Sequence, residues 1–261
     1  MPQTVFLNII SFETPPILEA KNKVSAFATN PLLRAVIGQP KSSFNFRDAM
    51  DSKKIILCDL SKGALGEDVS SLLGSLIMTK LYLASLSRQD TPEDERVRHH
   101  SFIDEVHNFS YGVDLSSILA EARKYRLSLT VATQTLAQLR RYNPEVLHSI
   151  FGNVGTLSSF RVSGEDAKIL AEEFANDITA RQLETLADYE FFIRTLENKP
   201  KSPALMQSQP RRIVGYPPLS FDNPQSKERI VKQSNQRYTR QRADVDRWLN
   251  KKLSVSFKLE N

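Results

Sequence analysis

Four residues of this sequence have the types and order of a phosphoryl-transfer site. The run Ser101-Phe102-Ile103-Asp104-Glu105 is apolar and ends in two adjacent carboxylates. At the tip of a strand, Asp104 can hold Mg2+, directly or through water. Glu105 can polarise the water that attacks a γ-phosphate. Taken alone the pattern is also that of an ordinary strand ending in acidic residues. Arg123 follows in Glu121-Ala122-Arg123-Lys124-Tyr125, and Gln134 in Thr130-Val131-Ala132-Thr133-Gln134. A glutamine at a strand end can sense a phosphate or orient water. An arginine at a helix end can reach the nucleotide of a neighbouring subunit and stabilise the charge that develops on transfer. The plain alternatives are a strand-end amide bonded to a loop and a surface Arg-Lys pair.

Such residues need strands that end side by side. The residues 101–103, 127–132 and 154–160 read as strands, and residues 189–196 as a last one. Upstream, Ile55-Ile56-Leu57-Cys58-Asp59-Leu60 is an almost unbroken apolar run, of the kind buried on both faces in a parallel sheet. Helices are predicted between them. The longest covers 67–87, with Val69, Leu72, Leu73, Leu76, Ile77, Leu83 and Leu86 on one broad face. Others cover 115–125, the stretch after Ser163, where Ser163 can cap and Glu165-Asp166 favour the N-terminus, and 180–186. Strand–helix alternation predicts an α/β fold with a parallel, doubly wound sheet. Before it, Pro15-Pro16 opens a helical pattern, and residues 31–36 form a short helix with proline in its first turn. No internal repeat is visible.

The order of these stretches resembles the HerA–FtsK group of P-loop motors, and most closely the TraG/TraD-type coupling ATPases of type IV secretion and conjugation. That group has an apolar strand with Asp-Glu (the Walker B form), a helix ending in Ala/Gly-Arg-Lys, and a strand ending in Thr/Ala-x-Gln. Gly38-Gln39-Pro40-Lys41-Ser42-Ser43-Phe44-Asn45-Phe46-Arg47, Leu60-Ser61-Lys62-Gly63-Ala64-Leu65-Gly66, Phe151-Gly152-Asn153-Val154-Gly155-Thr156 and Phe160-Arg161-Val162 also resemble bacterial HerA-like members. The resemblance implies the C-terminal portion of a RecA-like P-loop NTPase, using ATP and Mg2+ to move DNA and working as a ring hexamer. It implies that Asp104 is the Mg2+-associated carboxylate, Glu105 the catalytic glutamate, Gln134 the sensor and Arg123 the finger acting in trans, with Arg161 on the next strand as an alternative finger. Lys62 and Gly63 fall at either a central channel or a subunit contact.

One departure is large. The form Gly-x-x-x-x-Gly-Lys-Ser/Thr, whose backbone N–H groups cradle phosphates, does not occur in the 261 residues. Two expectations follow. The chain belongs to a motor whose phosphate loop lies elsewhere and is inactive by itself, or it is a non-hydrolysing module that binds DNA or secretion partners. A recombinase-like filament protein would share the fold but not the Arg123–Gln134 arrangement.

Other residues read as structural. His99, His100, His107 and His148 lack cysteine partners and metal-ligand spacing. His107 in particular reads as a loop histidine near a strand end. Ser61 is not in a nucleophile elbow, and Trp248 reads as a packing anchor. A single cysteine, Cys58, excludes an intrachain disulfide framework and suits a reducing, cytoplasmic setting, reached at the inner membrane through partners. No stretch reads as a membrane span or export signal.

Charge is uneven. Residues 197–261 hold 14 Lys/Arg against 6 Asp/Glu in a chain of net charge +5, so the body is slightly acidic and the tail basic. Such a tail suits a polyanion or is simply a solvated face. The expected organisation is a helical lead-in over 1–50, a motor core over 51–196, and a tail over 197–261. That tail begins as a proline-punctuated linker and continues as one polar helix from about 225.

Overall fold

In the computed structural model, the described residues are 30–109, 113–142, 144–198, 205–219 and 223–256. The apolar run Val5-Phe6-Leu7-Asn8-Ile9-Ile10 and the helical pattern after Pro15-Pro16 lie outside them. The chain divides into two compact units, one from Met1–Asn45, Cys58–Leu73 and Asn223–Asn261, the other from Phe46–Leu57 and Gly74–Asp222.

The second unit carries the candidate residues. Its parallel pair is β1 (His99–Ile103) and β2 (Leu127–Val131), in register from His99 opposite Leu127 to Ile103 opposite Val131. Parallel neighbours need a crossover. Here it runs through a 3-10 turn (Val106–Phe109), helix α1 (Leu115–Glu121) and a second 3-10 turn (Ala122–Tyr125). Asp114 caps α1, its carboxylate accepting from Ser117 N–H at 3.0 Å. The Ser117 hydroxyl, which donates to Asp114 at 2.6 Å, and that N–H hold the Asp114 carboxyl below the usual range. Buried Val106, Phe109, Val113, Leu115, Ile118, Ala122 and Leu127 form one core with Leu136, Leu139, Val146, Leu147 and Ile150 from α2 (Leu136–Tyr142) and α3 (Pro144–Asn153).

The remaining strands differ from the expected parallel sheet. β3 (Thr156–Ser159) and β4 (Glu190–Asn198) pair antiparallel, and β4 also pairs antiparallel with β5 (Leu205–Gln207) and β6 (Arg211–Val214). Short connections between β4, β5 and β6 allow no crossover, which forces that direction. The prolines of the expected linker punctuate β5 and β6 without abolishing them. Helix α4 (Gly164–Glu173) and α5 (Ala180–Glu184) lie between β3 and β4 in the chain. Ser163 sits at the N-cap of α4 without a side-chain cap bond, whereas Thr179 and Gln182 close a full capping box on α5.

Helix α6 (Phe46–Asp51) buries Ala49 and Met50. Just after it, residues 55–60 form no strand; Ile55 is 87% and Leu57 75% exposed. Their composition favours a strand, but no strand among the described residues pairs with them, and pairing, not composition, makes a sheet.

Helix α7 (Glu67–Leu86) has nearly the expected bounds, but of the expected face Leu76 and Leu83 are exposed, and Met78 is buried. Length and composition alone would let the stretch Glu67–Asp90 cross a membrane, an 18-residue window within it having mean hydropathy 1.4. The count of apolar side chains missed this because serine, glycine and threonine fill the gaps at little hydropathic cost. Core helices meet the same test, and Ser70 and Ser85 of α7 are fully buried. Gly74 lies where a Cβ would meet the Phe109 ring at 2.1 Å, so only glycine allows that approach.

In the first unit, α8 (Pro31–Ile37) is capped by Asn30, which accepts from Leu32 N–H and Leu33 N–H. Ser43 donates to Tyr238 O at 2.6 Å, and Phe44 meets the Tyr238 ring edge-on at 5.6 Å. The expected single tail helix is two, α9 (Pro224–Tyr238) and α10 (Arg242–Ser256). No residue of α9 is buried, and among the described side chains of α10 Val245 is buried and Trp248 half-buried.

Candidate functional site

The β1–β2 ladder continues past the strands. Ala132 N–H donates to Ile103 O at 2.9 Å, and Val106 N–H donates to Ala132 O at 3.0 Å. These two bonds clasp Asp104 and Glu105 between them and bring the Thr133–Gln134 loop alongside. Val106 is fully buried beneath, so the turn is anchored while Asp104 remains exposed and Glu105 half-buried. Glu105 has φ +49°, a region uncommon for residues other than glycine. Asp104 stabilises the turn, one carboxylate oxygen accepting from Glu105 N–H at 3.0 Å.

Gln134 is exposed at the end of β2, in a loop held on both sides. Thr133 donates its hydroxyl to Thr135 O at 3.1 Å. Asp166, from the first turn of α4, accepts from Leu136 N–H at 2.9 Å and so caps α2 from another element. Arg140 pairs with Glu165 at 2.8 Å beside it. The acidic pair Glu165-Asp166 stands in the first turn of its own helix, as expected, and also serves α2.

His107 is buried and its Nδ1 lies 3.3 Å from Glu105 Oε2 and 3.3 Å from Thr133 Oγ1. Sequence spacing could not reveal this contact, because Thr133 reaches His107 only through the pairing of β1 with β2.

Asp104, Glu105 and Gln134 are thus brought to one end of the parallel pair. Arg123 is not. It is exposed in the turn Ala122–Tyr125, before the first residue of β2. Four residue steps of β2 separate the two ends by about 13 Å. The Arg123 turn is clamped from its own side. Arg88 is 1% exposed and donates to Tyr125 O at 3.1 Å and Val97 O at 3.0 Å, and its guanidinium lies 2.6 Å from Asp51. Arg96 donates to Lys124 O at 2.6 Å and lies over the Tyr125 ring at 5.3 Å. Arg161 is not on a strand; β3 ends at Ser159, and Arg161 donates to Leu186 O at 3.1 Å and pairs with Asp188 at 3.2 Å.

Among the described residues, no three His, Cys, Asp or Glu side chains converge as metal ligands. A lone exposed carboxylate such as Asp104 fits a Mg2+ ion that keeps most of its ligands as water and phosphate oxygens. The same arrangement would not fit a structural metal.

Residues 98–190 match the family described as the TraM recognition site of TraD and TraG. The plasmid coupling protein TrwB, in complex with the non-hydrolysable GTP analogue GDPNP, has the same fold with TM-score 0.52 and 15% identity, over 76% of this chain and 50% of that one. The bacterial conjugative coupling protein TrwB in an unbound monoclinic form gives 0.43 and 16% identity over 57% of this chain and 38% of that one. The genome packaging NTPase B204 of Sulfolobus turreted icosahedral virus 2, with AMPPCP, gives 0.40 and 16% over 59% and 67%. The chain therefore spans half or less of the TrwB chains it matches. No curated protein matches it in sequence.

Proposed function

We propose that this chain, whose residues 98–190 match the family described as the TraM recognition site of TraD and TraG, supplies the water-activating half of an ATP-driven motor of the TraG/TraD type that moves DNA in conjugative transfer. One observation carries the reading: Asp104 and Glu105 are clasped at the end of a parallel strand pair, with Gln134 on the adjoining loop. In α/β proteins ligands bind at the carboxyl ends of parallel strands, the end of the β1–β2 pair at which these residues lie.

The chemistry divides among the residues. Asp104 would hold Mg2+ through water, and the ion would neutralise charge on the β- and γ-phosphates. Glu105 accepts a proton from the attacking water and orients it. Gln134 hydrogen-bonds the γ-phosphate or that water. Arg123, at the other end of β2, serves a neighbouring subunit and stabilises equatorial charge on its γ-phosphate. A ring of subunits, contact with a TraM-like protein through 98–190, and a cytoplasmic location reached at the membrane through partners belong to the same proposal.

A second reading is a non-hydrolysing docking module. It is favoured by Phe102 at 77% exposure, stacked on His100 at 4.5 Å on the open face of β1. Such exposed apolar surface suits a protein partner.

The deciding experiment measures Mg2+-dependent binding of an ATP analogue by the folded chain, alone and mixed with a segment that carries a phosphate loop from a relative. Binding in the mixture, with turnover that Glu105→Gln lowers by about 10²-fold or more while binding persists, is the expected result. A folded chain that binds nucleotide in neither case overturns the motor reading and leaves the docking module.

A further inference from the structure

Glu105 Oε2 is buried, and among the described residues no donor makes a regular hydrogen bond to it. A buried carboxylate oxygen without a donor is costly. The nearest polar hydrogen site is Nδ1 of His107, 3.3 Å away, and the same nitrogen lies 3.3 Å from Thr133 Oγ1. Thr133 has one hydroxyl hydrogen, and it is donated to Thr135 O. Were Nδ1 unprotonated, three acceptors would face one another in a buried space: a carboxylate, a hydroxyl oxygen and a ring lone pair. The arrangement is satisfied only when Nδ1 carries the hydrogen and shares it between Glu105 and Thr133.

We propose that His107 is a positioning residue whose Nδ1–H holds the Glu105 carboxylate and ties it, through Thr133, to the loop that carries Gln134. The proposal rests on the motor reading for its consequence but not for its geometry. Glu105 stands on a left-handed turn at the end of β1, with its Oε2 buried. His107 is anchored by burial in the 3-10 turn that follows. Thr133 is one residue from Gln134. A shift of Gln134 on meeting a phosphate would therefore move an acceptor of the same N–H that orients Glu105. The water-polarising carboxylate and the phosphate-sensing amide would then respond as one unit.

The chemistry sets a discriminating series of variants. An asparagine side chain places its N–H near the Nδ1 position, whereas glutamine places it near Nε2. In the nucleotide assay above, His107→Asn should keep turnover within about threefold of wild type. His107→Gln and His107→Ala should lose about 10–100-fold in kcat with KM for ATP nearly unchanged. Equal losses in all three, or a loss confined to KM, overturn the proposal.

The second measurement needs no turnover. Two-bond nitrogen–proton NMR correlations of the 261-residue chain should show His107 in the Nδ1–H tautomer, moving to Nε2–H in Glu105→Ala with the chain still folded. That result supports the clamp even where the motor reading fails. An Nε2–H ring in the wild-type chain overturns it even where the motor reading holds.

Discussion

Replacing Arg88 by methionine should destabilise the protein through three lost hydrogen bonds at the start of both parallel strands. Arg88 is 1% exposed, and its fork donates to Val97 O and Tyr125 O while pairing with Asp51. Methionine fills much of the volume but donates nothing. Each carbonyl left buried and unpaired costs about 1–3 kcal/mol. Asp51 is different. Its side chain is 43% exposed, so water takes over much of its solvation and the lost ion pair adds at most about 1 kcal/mol. The sum is about 2–7 kcal/mol, which lowers Tm by roughly 4–28 °C for a protein of this size. Thermal melts of the chain at pH 7 are the assay, with Arg88→Lys and Asp51→Asn beside it. Lysine keeps the charge but loses the planar fork, so it should recover less than half of the loss, and Asp51→Asn should cost little. A Tm within 2 °C of wild type for Arg88→Met, or full recovery by lysine, would refute the reasoning from carbonyl satisfaction.

Other expectations follow from the same geometry. Arg123→Ala should leave nucleotide binding intact and lower turnover by about 10³-fold, and mixing it with Glu105→Gln should restore part of the activity, because each variant supplies what the other lacks. Gly74→Ala drives a Cβ into the Phe109 ring and should cost about 1–3 kcal/mol by overpacking, read as a lower urea midpoint. The Arg47 fork, at 2.6 and 2.9 Å, holds the Asp90 carboxyl below its ordinary 3.8. Because the folded value is the lower one, the stabilisation is complete above the unfolded pKa and is lost as pH falls through the folded value. Asp90→Asn should therefore melt below wild type at pH 7 and converge with it in strong acid.

Much of the candidate site was legible because it rests on local signals. An apolar run ending in Asp104-Glu105 announces a strand tip, and Gln134 closes the next run in the same way. The bounds of α7 were legible from its apolar spacing, but its buried side was not: Leu76 and Leu83 are exposed, while Ser70, Met78 and Ser85 are buried. His107 and Thr133 were not, because neither lies in a periodic pattern and their meeting depends on which strands pair. Residues 55–60 show the converse error. Ile55, Ile56 and Leu57 have strand-forming side chains, yet a strand exists only against a neighbour's backbone. β6 failed for a related reason: Arg211 and Arg212 look like tail charges, but they stand on an edge strand and pair with Glu197 and Glu190. Asp166 lies in the first turn of α4 as expected, and its second role, capping α2, shows only in the packing.

The position of Arg123 at the far end of β2 from Glu105 constrains symmetry. On the proposed reading, in which Arg123 serves a second copy, its end of the strand pair must lie against the other copy's carboxylate end. A twofold axis meets that condition when the two strand pairs run antiparallel, each copy giving one arginine and receiving one. A head-to-tail contact meets it too, giving every copy one donor neighbour and one recipient neighbour, and it closes into a ring when the rotation per step divides a full turn. Strand polarity thus works against one arrangement, two copies side by side with their strands parallel, because that sets arginine end against arginine end.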